Sequence, residues 1–100
     1  MSQPEQRRIL ATSIPGPKSQ KLQVRRVAEL SSGLGVTMPV FIERAGGGIL
    51  VDVDGNHIID FASGIAVTSV GASDPAVVRR IEEQAERFTH TCFLVTEYEG

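Results

Sequence analysis

Apolar and polar positions are patterned most clearly between Pro39 and Gly71, in the run PVFIERAGGGILVDVDGNHIIDFASGIAVTSVG. Two turn signals divide it, Gly46-Gly47-Gly48 and Asp54-Gly55 followed by Asn56, each flanked by apolar runs of strand length. The spacing predicts a three-stranded antiparallel meander with strands at Val40 to Arg44, Ile49 to Val53 and Ile58 to Phe61. In the second strand Ile49, Val51 and Val53 share one face and Leu50 and Asp52 the other, so one side is wholly apolar and must be buried. After Phe61 the side chains become small, Ala62-Ser63-Gly64-Ile65-Ala66. A ligand or another chain can approach such a backbone closely.

Helical periodicity flanks the meander on both sides. Ser19 reads as an N-cap, Leu22, Val27 and Leu30 with Ala28 form an apolar stripe, and Gly33 is placed to stop the helix. Arg25 and Arg26 sit side by side on it as a solvated face. Before it, residues 1–18 are polar and interrupted by Pro4, Pro15 and Pro17, which predicts a mobile arm. The later helix has the stronger start: Asp74 as N-cap, Pro75 at the first helical position, then Val77, Val78, Ile81, Ala85 and Phe88 on one face. Glu83 and Arg87 are spaced for a surface ion pair. The helix should end near Phe88, and residues 90–95 should return to an extended, partly buried form. The fold class expected is α+β, with an N-terminal helix, a three-stranded antiparallel β-meander and a second helix.

Composition narrows the function classes. One hundred residues allow one small domain or part of a larger one. A net charge of -2, with basic residues scattered among acids, gives no footprint for nucleic acid. The single cysteine, Cys92, rules out an internal disulfide framework and suits a reducing compartment. The first residues lack the apolar core of a signal peptide, and no run approaches the roughly 18 apolar residues of a membrane span. A cytoplasmic location is therefore expected.

Candidate chemistry within the chain is sparse. Asp52, Asp54, Asn56 and Asp60 suggest a calcium loop, but aligning Gly55 with that loop's glycine puts Leu50 and Phe61 at ligand positions. A hairpin turn fits better. His90 and Cys92, with only His57 elsewhere, are too few for structural zinc. The triple glycine lacks the Lys-Ser/Thr ending and following helix of a phosphate loop. No catalytic or metal-binding residue is assigned in this chain.

The order of these features carries more than any one of them. Asp54-Gly55, then Asp60-Phe61 and Gly64-Ile65-Ala66, then Gly71 and Pro75, resembles the N-terminal region of the class III aminotransferases, which are fold type I pyridoxal-phosphate enzymes. The block His90-Thr91-Cys92-Phe93, with Val95, Tyr98 and Glu99 following, is similar to the bacterial 4-aminobutyrate aminotransferase branch. The resemblance runs from about Ile14 onward. Many members carry Gly-His-x-His-Pro where this sequence has Gly71-Ala72-Ser73-Asp74-Pro75, so both histidines are replaced; they are not cofactor-holding residues.

The resemblance implies a transamination in which 4-aminobutyrate gives its amino group to pyridoxal 5'-phosphate and 2-oxoglutarate takes it up. It also implies that the cofactor-bonding lysine and the other cofactor ligands lie beyond Gly100, since Lys18 and Lys21 match none of those positions. The chain would then be inactive alone: residues 1–18 an arm, and residues 19–100 the N-terminal part of the small domain of a fold type I transferase whose large domain follows. Ile65 and Leu94 match substrate-pocket positions of the family, and the partner expected is a second copy, in a homodimer or higher homo-oligomer. Neither nucleic acid nor membrane is expected as a partner. Other ω-amino acids, ornithine or acetylornithine stand as alternative donors, and a non-enzymatic β-meander interaction protein as an alternative class.

Overall fold

The structure is a computed structural model that describes residues 2–92 and 94–97. Its element order is α1 (Pro17–Glu29), β1 (Ile42–Gly46), β2 (Ile49–Asp52), β3 (His57–Ile59), α2 (Ser63–Ala66) and α3 (Pro75–Arg87). The three strands form one antiparallel sheet in the order β1-β2-β3, as the pattern predicts. Its register pairs Ala45 with Leu50 and Leu50 with Ile58. Between Ile42 and Arg44 the register slips, which places the extra residue Glu43 in a bulge and shifts β1 toward Gly46, two residues beyond its expected end. The third strand stops at Ile59 rather than Phe61, because Asp60 turns the chain away.

Ile49 and Val51 are the buried apolar side chains among the described residues, on the face of β2 expected to be buried. Asp52 is buried as well, although its position on the strand suggested the open face. The reason is local. Asp52 Oδ1 accepts from the backbone N–H groups of Asp54 (2.9 Å) and Asn56 (2.8 Å), and its Oδ2 accepts from Asn56 Nδ2 (2.8 Å). This carboxylate folds the hairpin turn around itself, as aspartates at turn starts do.

The first helix begins at Pro17, not Ser19, and ends at Glu29, four residues short of Gly33. Gly16 occupies the N-cap and brings no side chain to the task, while Pro17 supplies the preset φ of a first turn. Its cap comes from 36 residues away: Asp54 Oδ1 accepts from Lys18 N (2.7 Å) and Oδ2 from Ser19 N (2.9 Å). Gly16 is buried against Asp54, and a β-carbon there would overlap the carboxylate. The second long helix starts as expected, with Asp74 Oδ1 accepting from Ala76 N (2.9 Å) and Val77 N (3.2 Å), and its C-cap is Phe88. Its surface pair is Arg80 with Glu83 at 2.9 Å, rather than Glu83 with Arg87.

The segment before α1 is tied to the sheet. Ile9 and His57 exchange backbone hydrogen bonds of 2.8 and 3.1 Å, extending the sheet beyond β3, and Thr12 bonds both amide atoms of Asn56. At the other end, Leu94 and Val95 lie in an exposed turn closed by Val95 N on Cys92 O, instead of the expected partly buried extended form. Phe93, Tyr98 and Glu99, part of the same expectation, lie outside the described residues.

Neither long helix packs broadly on the sheet among the described residues. Val77, Ile81 and Ala85 instead line an open apolar groove of about 600 Å³. The Cα radius of gyration is 17.3 Å. A compact domain of this length has about 13 Å. The faces of α1 and α3 that periodicity marks for burial are thus left uncovered by the chain itself.

Candidate functional site

The small-residue segment after β3 is held as a loop, residues 60–72, by the Gly46–Gly48 turn. At its start Asp60 N donates to Gly48 O (3.0 Å). At its end Gly47 and Ala72 exchange two backbone hydrogen bonds, of 2.9 and 2.8 Å. One β-turn therefore grips both ends of the loop. The grip requires glycine: a β-carbon on Gly71, whose φ is +92°, would lie 3.1 Å from Gly47 Cα.

Inside the loop the backbone takes a left-handed turn. Ser63, Gly64, Ile65 and Ala66 have φ of 50°, 62°, 64° and 63°. Asp60 Oδ1 starts the turn by accepting from Ala62 N (3.1 Å) and Ser63 N (2.8 Å), and Ala62 O takes Ile65 N and Ala66 N. Left-handed geometry costs an L-residue about 1–2 kcal/mol, and a β-branched side chain is especially ill suited to it. Ile65 is held there with its side chain 90% exposed. Strain without burial marks a position whose side chain serves something other than the local fold.

Leu94 is also bare, at 97% exposure, so neither expected pocket residue covers the other. The structure sets both on the surface and encloses no shared cavity between them. Sequence reasoning missed the double grip on the loop and the residues that make it. Its signal was present in Gly47 and Gly71, but their pairing is long-range.

Electrostatics are marked at the α1 cap. Desolvation raises the Asp54 pKa, but the backbone N–H groups of Ser19 and Lys18, the Ser19 hydroxyl and the Lys18 charge outweigh it and hold the carboxyl below its ordinary 3.8. The folded value lies below the unfolded one, so this contribution to stability is complete above pH 3.8 and drains away as pH falls through the folded value. The amide shifts of Lys18 and Ser19 should titrate together with a midpoint below 3.8. A midpoint at or above it would show that the contact is not made.

Among the described residues there is no group of three or more His, Cys, Asp or Glu that could hold a metal ion. No helix is long and apolar enough to cross a membrane.

The family description "aminotransferase class-III" matches residues 31–100. The 4-aminobutyrate aminotransferase of Mycobacterium tuberculosis is 60% identical over 100 residues, covering 100% of this chain and 22% of that protein. That of Mycobacterium leprae is 54% identical over 99 residues, 99% of this chain and 22% of that protein. The ornithine delta-aminotransferase structure from Plasmodium falciparum superposes with a TM-score of 0.68 at 20% identity, covering 73% of this chain and 19% of that one. At that identity the likeness is one of fold. The chain spans about a fifth, 22%, of the length of the curated relatives it matches.

Proposed function

The chain belongs to the class III aminotransferases, and on that premise we propose that it is the N-terminal part of a 4-aminobutyrate:2-oxoglutarate aminotransferase. The observation that carries this reading is the 60% identity to the mycobacterial 4-aminobutyrate enzyme across all 100 residues. Residues 19–100 would begin the small domain, and the arm before them would run along its sheet. The large domain, which supplies the cofactor site, would follow in the complete protein. A second copy of the chain is the partner in this reading, and the complete enzyme is cytoplasmic.

Pyridoxal 5'-phosphate is the cofactor proposed for that enzyme; bound, it supplies the electron sink for moving an amino group. The described residues of this chain do not fit it. Lys18 and Lys21 stand exposed on the first turns of α1, and the Lys18 backbone is spent on Asp54. No step of the cofactor's chemistry is therefore assigned to this chain. Its role is to shape the amine site: Ile65, and Leu94 after the His90-Thr91-Cys92 run, would line the apolar stretch that receives the methylenes of 4-aminobutyrate. The exposed faces of α1 and α3 are those the large domain and the second copy would cover.

The test compares two proteins. The full-length protein, loaded with cofactor, should form succinate semialdehyde and glutamate from 4-aminobutyrate and 2-oxoglutarate. The 100-residue chain alone should form neither and should give no saturable cofactor band beyond that of free-lysine controls. A full-length protein inactive with 4-aminobutyrate, or a band in the short chain abolished by changing Lys18 or Lys21, would overturn the reading.

A further inference from the structure

We propose that Gln6, in the N-terminal arm, is a positioning residue for the substrate-facing loop and through it tunes selectivity for the length of the amine donor. This rests on the reading that residues 60–72 face the substrate.

The side chain of Gln6 brackets Gly47. Its Nε2 donates to Gly46 O (3.0 Å) and to Pro4 O (2.8 Å), and its Oε1 accepts from Gly48 N (3.1 Å). One amide thus satisfies the turn on both sides of the residue that pairs with Ala72. The same turn takes Asp60 N on Gly48 O. Both ends of the loop therefore hang on a three-residue turn whose outer hydrogen-bonding groups are filled by the arm. The path continues through Asp60, whose carboxylate starts the left-handed turn that presents Ile65.

Two further contacts point the same way. Gln3 Nε2 donates to Ser73 O (2.9 Å), one residue past the Ala72 pairing, so the arm touches the loop's exit as well as the turn. A β-carbon on Gly47 would overlap the Gln6 amide, so this turn and this side chain can share the space only while residue 47 is glycine. A left-handed run containing Ile65 and Ala66 is intrinsically disfavoured, so its shape depends on anchorage at its ends. Removing the Gln6 amide should let the loop relax without dismantling the sheet, since the register of β1, β2 and β3 does not use it.

The experiment uses the full-length enzyme loaded with cofactor, with Gln6→Ala, Ile65→Ala and the double variant. The probes are 4-aminobutyrate and its one-methylene-longer homologue 5-aminovalerate, with amide hydrogen exchange as a second readout. Gln6→Ala should change the kcat/KM ratio for the two donors about three- to tenfold, mostly through KM, and speed exchange at Gly48, Asp60 and Ala72. In the Ile65→Ala background the same change should leave the ratio nearly unaltered, because Gln6 acts through the loop that carries Ile65. An unchanged ratio, an equal change in both backgrounds, or unchanged exchange at those amides would overturn the proposal. A wild-type enzyme inactive with both donors would instead sink the functional reading beneath it, and that outcome is visible before any substitution is made.

Discussion

Asp52→Ala in the full-length protein is expected to lower stability by about 3 kcal/mol, through buried hydrogen bonds left without an acceptor. Asp52 is fully buried and takes three N–H donors, two from the backbone of the β2–β3 turn and one from the equally buried Asn56. Asn56 in turn holds Thr12, and the turn carries Asp54, which caps α1. Losing the hub should therefore loosen the turn, the arm and the start of α1 together. Asp52→Asn keeps an acceptor for the backbone donors but sets its NH₂ against Asn56 Nδ2, and should cost about 1 kcal/mol. Denaturant midpoints with exchange at Ser19, Asp54 and Asn56 measure this. If Asp52→Ala is as mild as Glu43→Ala, a change at an exposed position, the turn does not depend on its carboxylate.

The second large effect is on catalysis. Ile65→Ala in the complete enzyme should lower kcat/KM for 4-aminobutyrate by about 1–3 kcal/mol, roughly 10- to 200-fold, as expected when an apolar side chain is cut back from the wall of a substrate pocket. The change should fall on KM and leave the melting temperature nearly unmoved. The stability side follows from geometry: Ile65 is 90% exposed in this chain and sits at φ 64°, where alanine carries no β-branch against the backbone. A large drop in melting temperature with KM unchanged would make Ile65 an ordinary core residue, buried by the rest of the enzyme.

What the sequence shows well is what depends on near neighbours. The meander follows from alternating apolar runs between glycine-bearing turns, and the start of α3 from Asp74 and Pro75, all signals within a few residues of the structure they cause. The α1 cap was not legible, because Gly16 offers no side chain and the acceptor, Asp54, arrives from the far side of a hairpin. Nor was the bulge at Glu43, since nothing in its neighbours disfavours regular pairing. The left-handed turn is hidden for a stronger reason: Ile65 and Ala66 are residues that local preference places elsewhere, and only the anchors at Gly47, Gly48 and Asp60 hold them there. As for the candidate site, Ile65 and Leu94 came from family resemblance rather than from residue chemistry. In the structure they stand apart and uncovered, as pocket walls would before the rest of an enzyme closes over them.

The measurement closest to the central claim is a single-turnover donor comparison on the cofactor-loaded full-length protein, following the cofactor's absorbance. 4-Aminobutyrate should discharge the absorbance and 2-oxoglutarate restore it, with ornithine and acetylornithine at least about tenfold less efficient, the discrimination a pocket fitted to a short apolar chain can supply. Full discharge by ornithine or acetylornithine with no response to 4-aminobutyrate would contradict the claim.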